Sequence, residues 1–285
     1  MCRAISEKMR TIITQNCCFS MDISVYFNCL LLIGAYMLMV FVLGQWRKNN
    51  GIVDIFWGLG FVVITLFLLI DNPSGIAYSG WQSRHLVSLA VIIWGVRLAS
   101  HIAIKNWGQP EDWRYVNFRN DWRKRGLPQW LGALLQVYLL QGLFMFVIAL
   151  PIIHVHLTPE NPGIITLVGA LLWMFGFYFE SVGDYQKQVF KQDPANKGKI
   201  LTTGLWKYTR HPNYFGEAVM WWGIWLMTAQ LAHPWLTLSG LLSPVILTWL
   251  LTKVSGVAML ERKYTENADY QEYIRQTPAF FPRFR

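Results

Sequence analysis

Ile52-Val-Asp-Ile-Phe-Trp-Gly-Leu-Gly-Phe-Val-Val-Ile-Thr-Leu-Phe-Leu-Leu-Ile70 runs with a single ionisable side chain, Asp54. At about 1.5 Å per residue a helix of this length crosses a hydrocarbon core of about 30 Å. Lipid offers no partner for a backbone N–H or C=O, so a spanning segment of this kind satisfies its own peptide groups and is helical. Six more stretches share the pattern: Val25–Gly44, Leu86–Ile104, Leu131–Leu150, Ile164–Val182, Phe215–Ala232 and Leu236–Val254. The expectation is therefore an all-α polytopic membrane protein with about seven spans. Its composition agrees, with 54% apolar residues against 14% charged ones.

The chain carries a net charge of +9. Spread over one surface, that charge would suit nucleic acid; here it is sorted into alternate loops. Twenty of the 25 Lys and Arg lie at 47–48, 105–125, 187–210 and in the tail from Lys253. The intervening loops hold Arg84 alone, so the positive-inside rule puts the N-terminus outside and the C-terminus in the cytoplasm. Nucleic acid is not an expected partner; membrane lipid is. Residues 1–24 read as a poorly ordered N-terminal segment rather than a cleavable signal, because Gln15 and Asn16 break the apolar patch. Residues 25–285 read as one membrane domain with a cytosolic tail at 255–285. The tail's aromatic end, Phe280-Phe281-Pro282, is expected to dock back onto the bundle.

No metal site is expected. Cys2, Cys17, Cys18 and Cys29 have no zinc spacing, and His154 and His156 stand without carboxylate or thiol companions on the non-cytosolic side. Nucleotide loops of the Gly-x-Gly-x-x-Gly or Walker type are also absent. Lys105–Trp130 mixes Trp and Arg as a headgroup-zone anchor does, or as cations that help hold a phosphate.

Chemistry is sought where burial of charge is costly. Asp54, Arg97, His101, Glu180 and Glu217 lie within the spans. Trp94, Arg97 and His101 share one helix face. Glu180, Asp184, Lys187 and Lys191 form a stripe down the fifth span into the cytosol. Gly204-Leu-Trp-Lys-Tyr-Thr-Arg-His-Pro-Asn-Tyr-Phe-Gly-Glu217 opens the sixth: Pro212 suits a first helical turn, and a helix N-terminus flanked by Arg210 and His211 suits an anion. Asn213 and Glu217 share the face below.

The strings Val53-Asp-Ile-Phe-Trp-Gly-Leu-Gly-Phe61, Trp94-Gly-Val-Arg97, Glu111-Asp-Trp-Arg-Tyr115, Glu180-Ser-Val-Gly-Asp184, Arg210-His-Pro-Asn-Tyr-Phe-Gly-Glu217 and Glu261-Arg-Lys-Tyr264 resemble the membrane reductases related to steroid 5α-reductase, in their bacterial branch DUF1295. The resemblance implies a seven-helix bundle in a bacterial inner membrane, holding NADPH from the cytosolic side below a lipophilic enone. It implies cofactor contacts at Arg97, Glu180, Asp184, Lys191, Arg210, His211, Asn213, Tyr214, Glu261 and Tyr264, and catalytic positions at Asp54, Trp94 and Glu217. Trp94 stands where the steroid enzymes carry a tyrosine, and Lys191 where they carry an arginine. A looser Arg-His-Pro-x-Tyr-x-Gly also marks membrane methyltransferases that use S-adenosylmethionine. A transporter or lipid-binding scaffold is the non-enzymatic alternative, and it would be expected to carry polar groups at both faces of the membrane.

Overall fold

The structure, a computed structural model, describes residues 2–75, 80–230, 232–262 and 266–284, with side chains described from residue 23 onward. Among the described residues there are helices and turns but no strand. Six helices among the described residues are long and apolar enough to cross a membrane: Ile23–Trp46, Ile52–Asp71, Ser83–Asn106, Gln129–Ile148, Ile164–Gln192 and Pro234–Glu261. The chain divides into two compact units, Met1–Glu160 and Asn161–Arg285.

The first unit contains α1 (Cys2–Trp46), α2 (Ile52–Asp71), α3 (Ser83–Asn106) and a shorter surface helix, α4 (Trp113–Lys124). Next come α5 (Gln129–Ala133), a π-helical stretch at Leu134–Leu139, α6 (Leu140–Ile148) and α7 (Leu150–Leu157). Helices α2 and α3 meet backbone to backbone at Gly58 and Gly95, where a Cβ on either would lie 2.7 or 2.6 Å from the other's carbonyl oxygen. Phe61, Ile64, Val87, Val91 and Trp94 fill the core beside this crossing. The fourth expected span ends where predicted, yet the chain resumes as α7, because Pro151 sits in a first turn where its missing N–H costs nothing. His154 and His156 are consequently buried helical residues.

The second unit contains α8 (Ile164–Gln192), α9 (Pro212–Thr228), α10 (Pro234–Gly240), α11 (Leu242–Trp249), a π-helical stretch at Leu250–Val254, α12 (Val257–Glu261) and α13 (Ala268–Gln276). The expected sixth span, Phe215–Ala232, corresponds to α9, which begins at Pro212 and stops at Thr228, so that at 17 residues it is at the short end of membrane-spanning length. It also differs in being buried along most of its length rather than along one stripe.

The burial of α9 follows from glycines. Gly169, Gly176 and Gly183 on α8 repeat every seven residues, as do Gly216 and Gly223 on α9. A Cβ at Gly176 would lie 2.6 Å from both the Gly216 oxygen and the Met220 nitrogen, and one at Gly223 would lie 2.7 Å from the Gly169 oxygen and the Trp173 nitrogen. The pairing numbers rise on one helix as they fall on the other, so α8 and α9 are antiparallel. Two apolar helices in lipid gain little from leaving it, and close van der Waals approach supplies the association instead. At the tail, the Arg210 N–H donates to the Pro278 oxygen at 2.9 Å, and Phe280 packs edge-on against Phe215. The expected docking of the aromatic tail is present within this unit.

Gly176→Ala is predicted to destabilise the purified protein by about 1–3 kcal/mol through overpacking, whereas Gly34→Ala, with nothing within 4 Å of the added methyl, leaves stability unchanged. Thermal unfolding of the two variants in one detergent checks the contrast.

Candidate functional site

Asparagine 213 lies in the first turn of α9, held against α8 where Gly183 brings the helices together, with Gly183 lacking the Cβ that would sit 3.2 Å from the Asn213 nitrogen. Its side-chain N–H donates to Asp184 at 3.0 Å. Its side-chain oxygen is buried and has no hydrogen-bond partner among the described residues. One turn deeper, Glu180 follows Asp184 on α8 and Glu217 follows Asn213 on α9, both at most 9% exposed. The Glu180 backbone lies directly against Gly216, so the seam brings the two carboxyl-bearing stretches side by side. Deeper again, Trp173 stacks on Phe177 at 4.9 Å. Along one face of α8 the order is therefore aromatic (Trp173, Phe177), carboxyl (Glu180, Asp184) and cationic (Lys187, Lys191).

Arg210 and His211 were expected to face an anion, and the second unit employs them differently. Arg210 is buried, and its guanidinium donates to Glu261 from Nε at 2.9 Å and from Nη2 at 3.0 Å, while Nη1 donates to the Thr277 oxygen. Its donors are thus spent on α12 and the tail. His211 contacts the same carboxylate, Nε2 to Glu261 at 3.0 Å, and stacks flat on Tyr214 at 5.5 Å. Burial pushes the His211 pKa below its usual range against the pull of Glu261, so the neutral ring donates from Nε2. The cluster ties α9, α12 and the tail together. Tyr264 lies outside the described residues.

The first unit holds Asp54, Trp94 and Arg97. Asp54 has both oxygens engaged: Arg114 donates at 2.7 Å and Tyr115 at 2.6 Å. Burial alone would lower the Arg114 pKa, and Asp54, Tyr115 and Asp112 together more than offset it, holding the guanidinium charged. Glu111 extends the network, accepting from Arg119 at 2.7 and 3.1 Å and from the Asn50 backbone at 2.6 Å. Trp94 is buried edge-on to Phe61 at 5.6 Å, and Arg97 is half-buried.

Two features escaped sequence reading. Arg114 and Tyr115, which lock α4 onto Asp54, were lost among many interfacial cations and aromatics; the signal was a carboxylate with no basic residue on its own helix. Arg84, counted as a loop cation, is fully buried. It donates to Asn72 at 2.7 Å and Ser74 at 3.1 Å, while Ser88 lies 3.3 Å from His156. Buried polar groups thus occupy both ends of this unit. Among the described residues no cluster of His, Cys, Asp or Glu is arranged to hold a metal ion.

These helices and buried polar groups define an integral membrane protein whose buried polar wall follows a glycine seam. The chain belongs to the DUF1295 family, described as a protein family of unknown function, which matches residues 40–277. A Schizosaccharomyces pombe protein, C594.04c, uncharacterized, is 27% identical over 87% of this chain and 78% of its own length. A relative in fission yeast means that family membership does not by itself assign a bacterial membrane. A protein of Ustilaginoidea virens named "Probable O-methyltransferase ustE" is 42% identical over 57 residues, 20% of this chain and 19% of its own. No solved structure matches significantly.

Removing the negative charge shared by Arg210 and His211, as in Glu261→Gln, is predicted to cost about 3 kcal/mol by leaving a buried guanidinium uncompensated. Because the fold favours neutral His211, the stability that it confers is complete above the ordinary histidine pKa and is lost as pH falls through that range. Thermal midpoints between about pH 7.5 and 5.5 should fall for the wild type and fall less for His211→Gln.

Proposed function

We propose that this chain is an NADPH-dependent reductase of a C=C bond in a lipophilic enone, steroid-like or isoprenoid, with the α8–α9 seam as its cofactor wall. The observation that carries the reading is the buried oxygen of Asn213, unpartnered among the described residues, set beside Asp184 and one turn from Glu217. A surface so rich in acceptors calls for a ligand rich in donors, such as ribose hydroxyls and a carboxamide NH2. Phosphates are repelled there and find cations further along the same face, where Lys191 lies about 16 Å from Glu180 at helical rise. Aromatic rings, then acceptors, then cations is the order in which a nicotinamide dinucleotide presents its flat ring, sugar and phosphates.

NADPH, when bound, supplies a hydride. The chain's own part is to orient and to exclude water: Asn213 and Asp184 bind donors, Glu180 and Glu217 continue that wall inwards, and Lys187 and Lys191 neutralise phosphate. Arg210, His211, Tyr214 and Glu261 enter as positioning residues that fix the start of α9. Asp54 enters as the anchor of α4, since its oxygens are already bonded. The bacterial inner membrane, approached from the cytosol, is the location this reading favours.

A second reading has an observation of its own. Carboxyl groups also suit the sulfonium and ammonium of S-adenosylmethionine, and the ustE similarity favours a methyltransferase. Lys187 and Lys191 would have no ligand group to meet in that case. Equilibrium titration of the purified protein with each cofactor separates the two: NADPH is expected to bind, with Asn213→Ala weakening it at least tenfold, about 1.4 kcal/mol. Lys191→Ala is expected to weaken NADPH more than NADH. Binding of S-adenosylmethionine without NADPH would overturn the reductase reading.

A further inference from the structure

A cavity of about 310 Å³ opens in the first unit where α1 ends, α2 begins and α3 runs out. Arg47, Asn49, Asn106, Trp107 and Gln109 line its polar side, and Ile52 and Ile55 form an apolar floor. Its walls are stitched together: the Arg47 guanidinium lies over the Trp107 ring at 4.9 Å, and the Asn49 side chain donates to the Gln109 oxygen at 3.4 Å. Asp112 also lines the cavity, but its carboxylate accepts from the Arg114 backbone and Nε at 3.0 and 2.9 Å. Arg47 has no carboxylate within ion-pair distance among the described residues, so its charge remains available. Helix α1 closes here with Lys48 in the left-handed region, φ 52°, a position that glycine ordinarily takes. The chain thus keeps a second cation beside Arg47 against conformational preference.

We propose that this cavity seats the head group of an anionic phospholipid. Three chemical requirements meet in it. Arg47 supplies a fork for a phosphodiester, and the amides of Asn106 and Gln109 suit glycerol hydroxyls. Choline is disfavoured, because the ring face that would receive it already holds Arg47. Acyl chains need an apolar path, and Val42, Trp46 and Ile104, on the membrane-length helices whose ends line the cavity, are 64, 76 and 77% exposed. A soluble phosphate has no use for that path. The site belongs to the first unit and is independent of the proposed cofactor wall.

Thermal unfolding of the full chain in detergent, titrated with phosphatidylglycerol, phosphatidylcholine or inorganic phosphate, tests the proposal. Phosphatidylglycerol is expected to raise the midpoint by about 2 °C at tenfold over its dissociation constant. Arg47→Gln should remove most of that shift, and Asn106→Leu, which fills the cavity wall without touching the cation, should reduce it. Should Arg47→Gln fail to fold, the Asn106→Leu result decides. An equal shift with phosphatidylcholine, an equal shift with inorganic phosphate, or a full shift retained in whichever variants fold would each overturn the assignment.

Discussion

In a bilayer two apolar helices gain little by leaving the lipid, so what holds them is how closely their backbones approach. Helices α8 and α9 meet this constraint with glycines at every seventh position, and a Cβ added at Gly169, Gly176, Gly216 or Gly223 would strike backbone of the other helix rather than a yielding side chain. Much of the second unit depends on that contact. It buries α9 although that helix is short, and it puts Glu180 against Gly216. It also brings Asn213 within 3.0 Å of Asp184. The Gly58–Gly95 crossing does the same for α2 and α3 in the first unit.

Polar groups inside such a protein are costly unless paired, and the way each is paired separates support from chemistry. Arg210 gives its donors to Glu261 and tail carbonyls, and both oxygens of Asp54 accept from Arg114 and Tyr115. Arg84 is secured by Asn72 and Ser74. These side chains hold helices and loops in place. The Asn213 oxygen is different from these, since it is buried beside carboxyl groups and has no hydrogen-bond partner among the described residues. An acceptor in that state can take a donor from a ligand. The functional proposal rests there rather than on the charged residues that are more conspicuous in the sequence.

The polar residues at both ends of the first unit bear on the non-enzymatic alternative. A transport pathway would join such groups through the unit, whereas Arg84 and His156 at one end and Asp54 and Arg114 at the other are each closed into local networks. The apolar core of Phe61, Ile64 and Trp94 is buried within the same helices. Self-contained polar clusters separated by packed hydrocarbon are better suited to bracing the unit than to conduction.

The helical class, the membrane, most span boundaries and the docking of the tail were legible in the sequence, because hydropathy over about 30 Å is a local property that no tertiary contact overrides. The stripe Glu180–Asp184–Lys191 and the pair Asn213 and Glu217 were legible too, since spacing along one helix fixes which residues share a face. Partners across helices were not. That Arg210 and His211 answer Glu261, that Asp54 answers Arg114, and that α9 ends early and buried all depend on contacts between residues distant in the chain. Single-helix periodicity carries no information about those contacts. The glycine repeats were visible in the sequence, but only the packed pair revealed which helix each repeat met, because glycine permits close approach without specifying a partner.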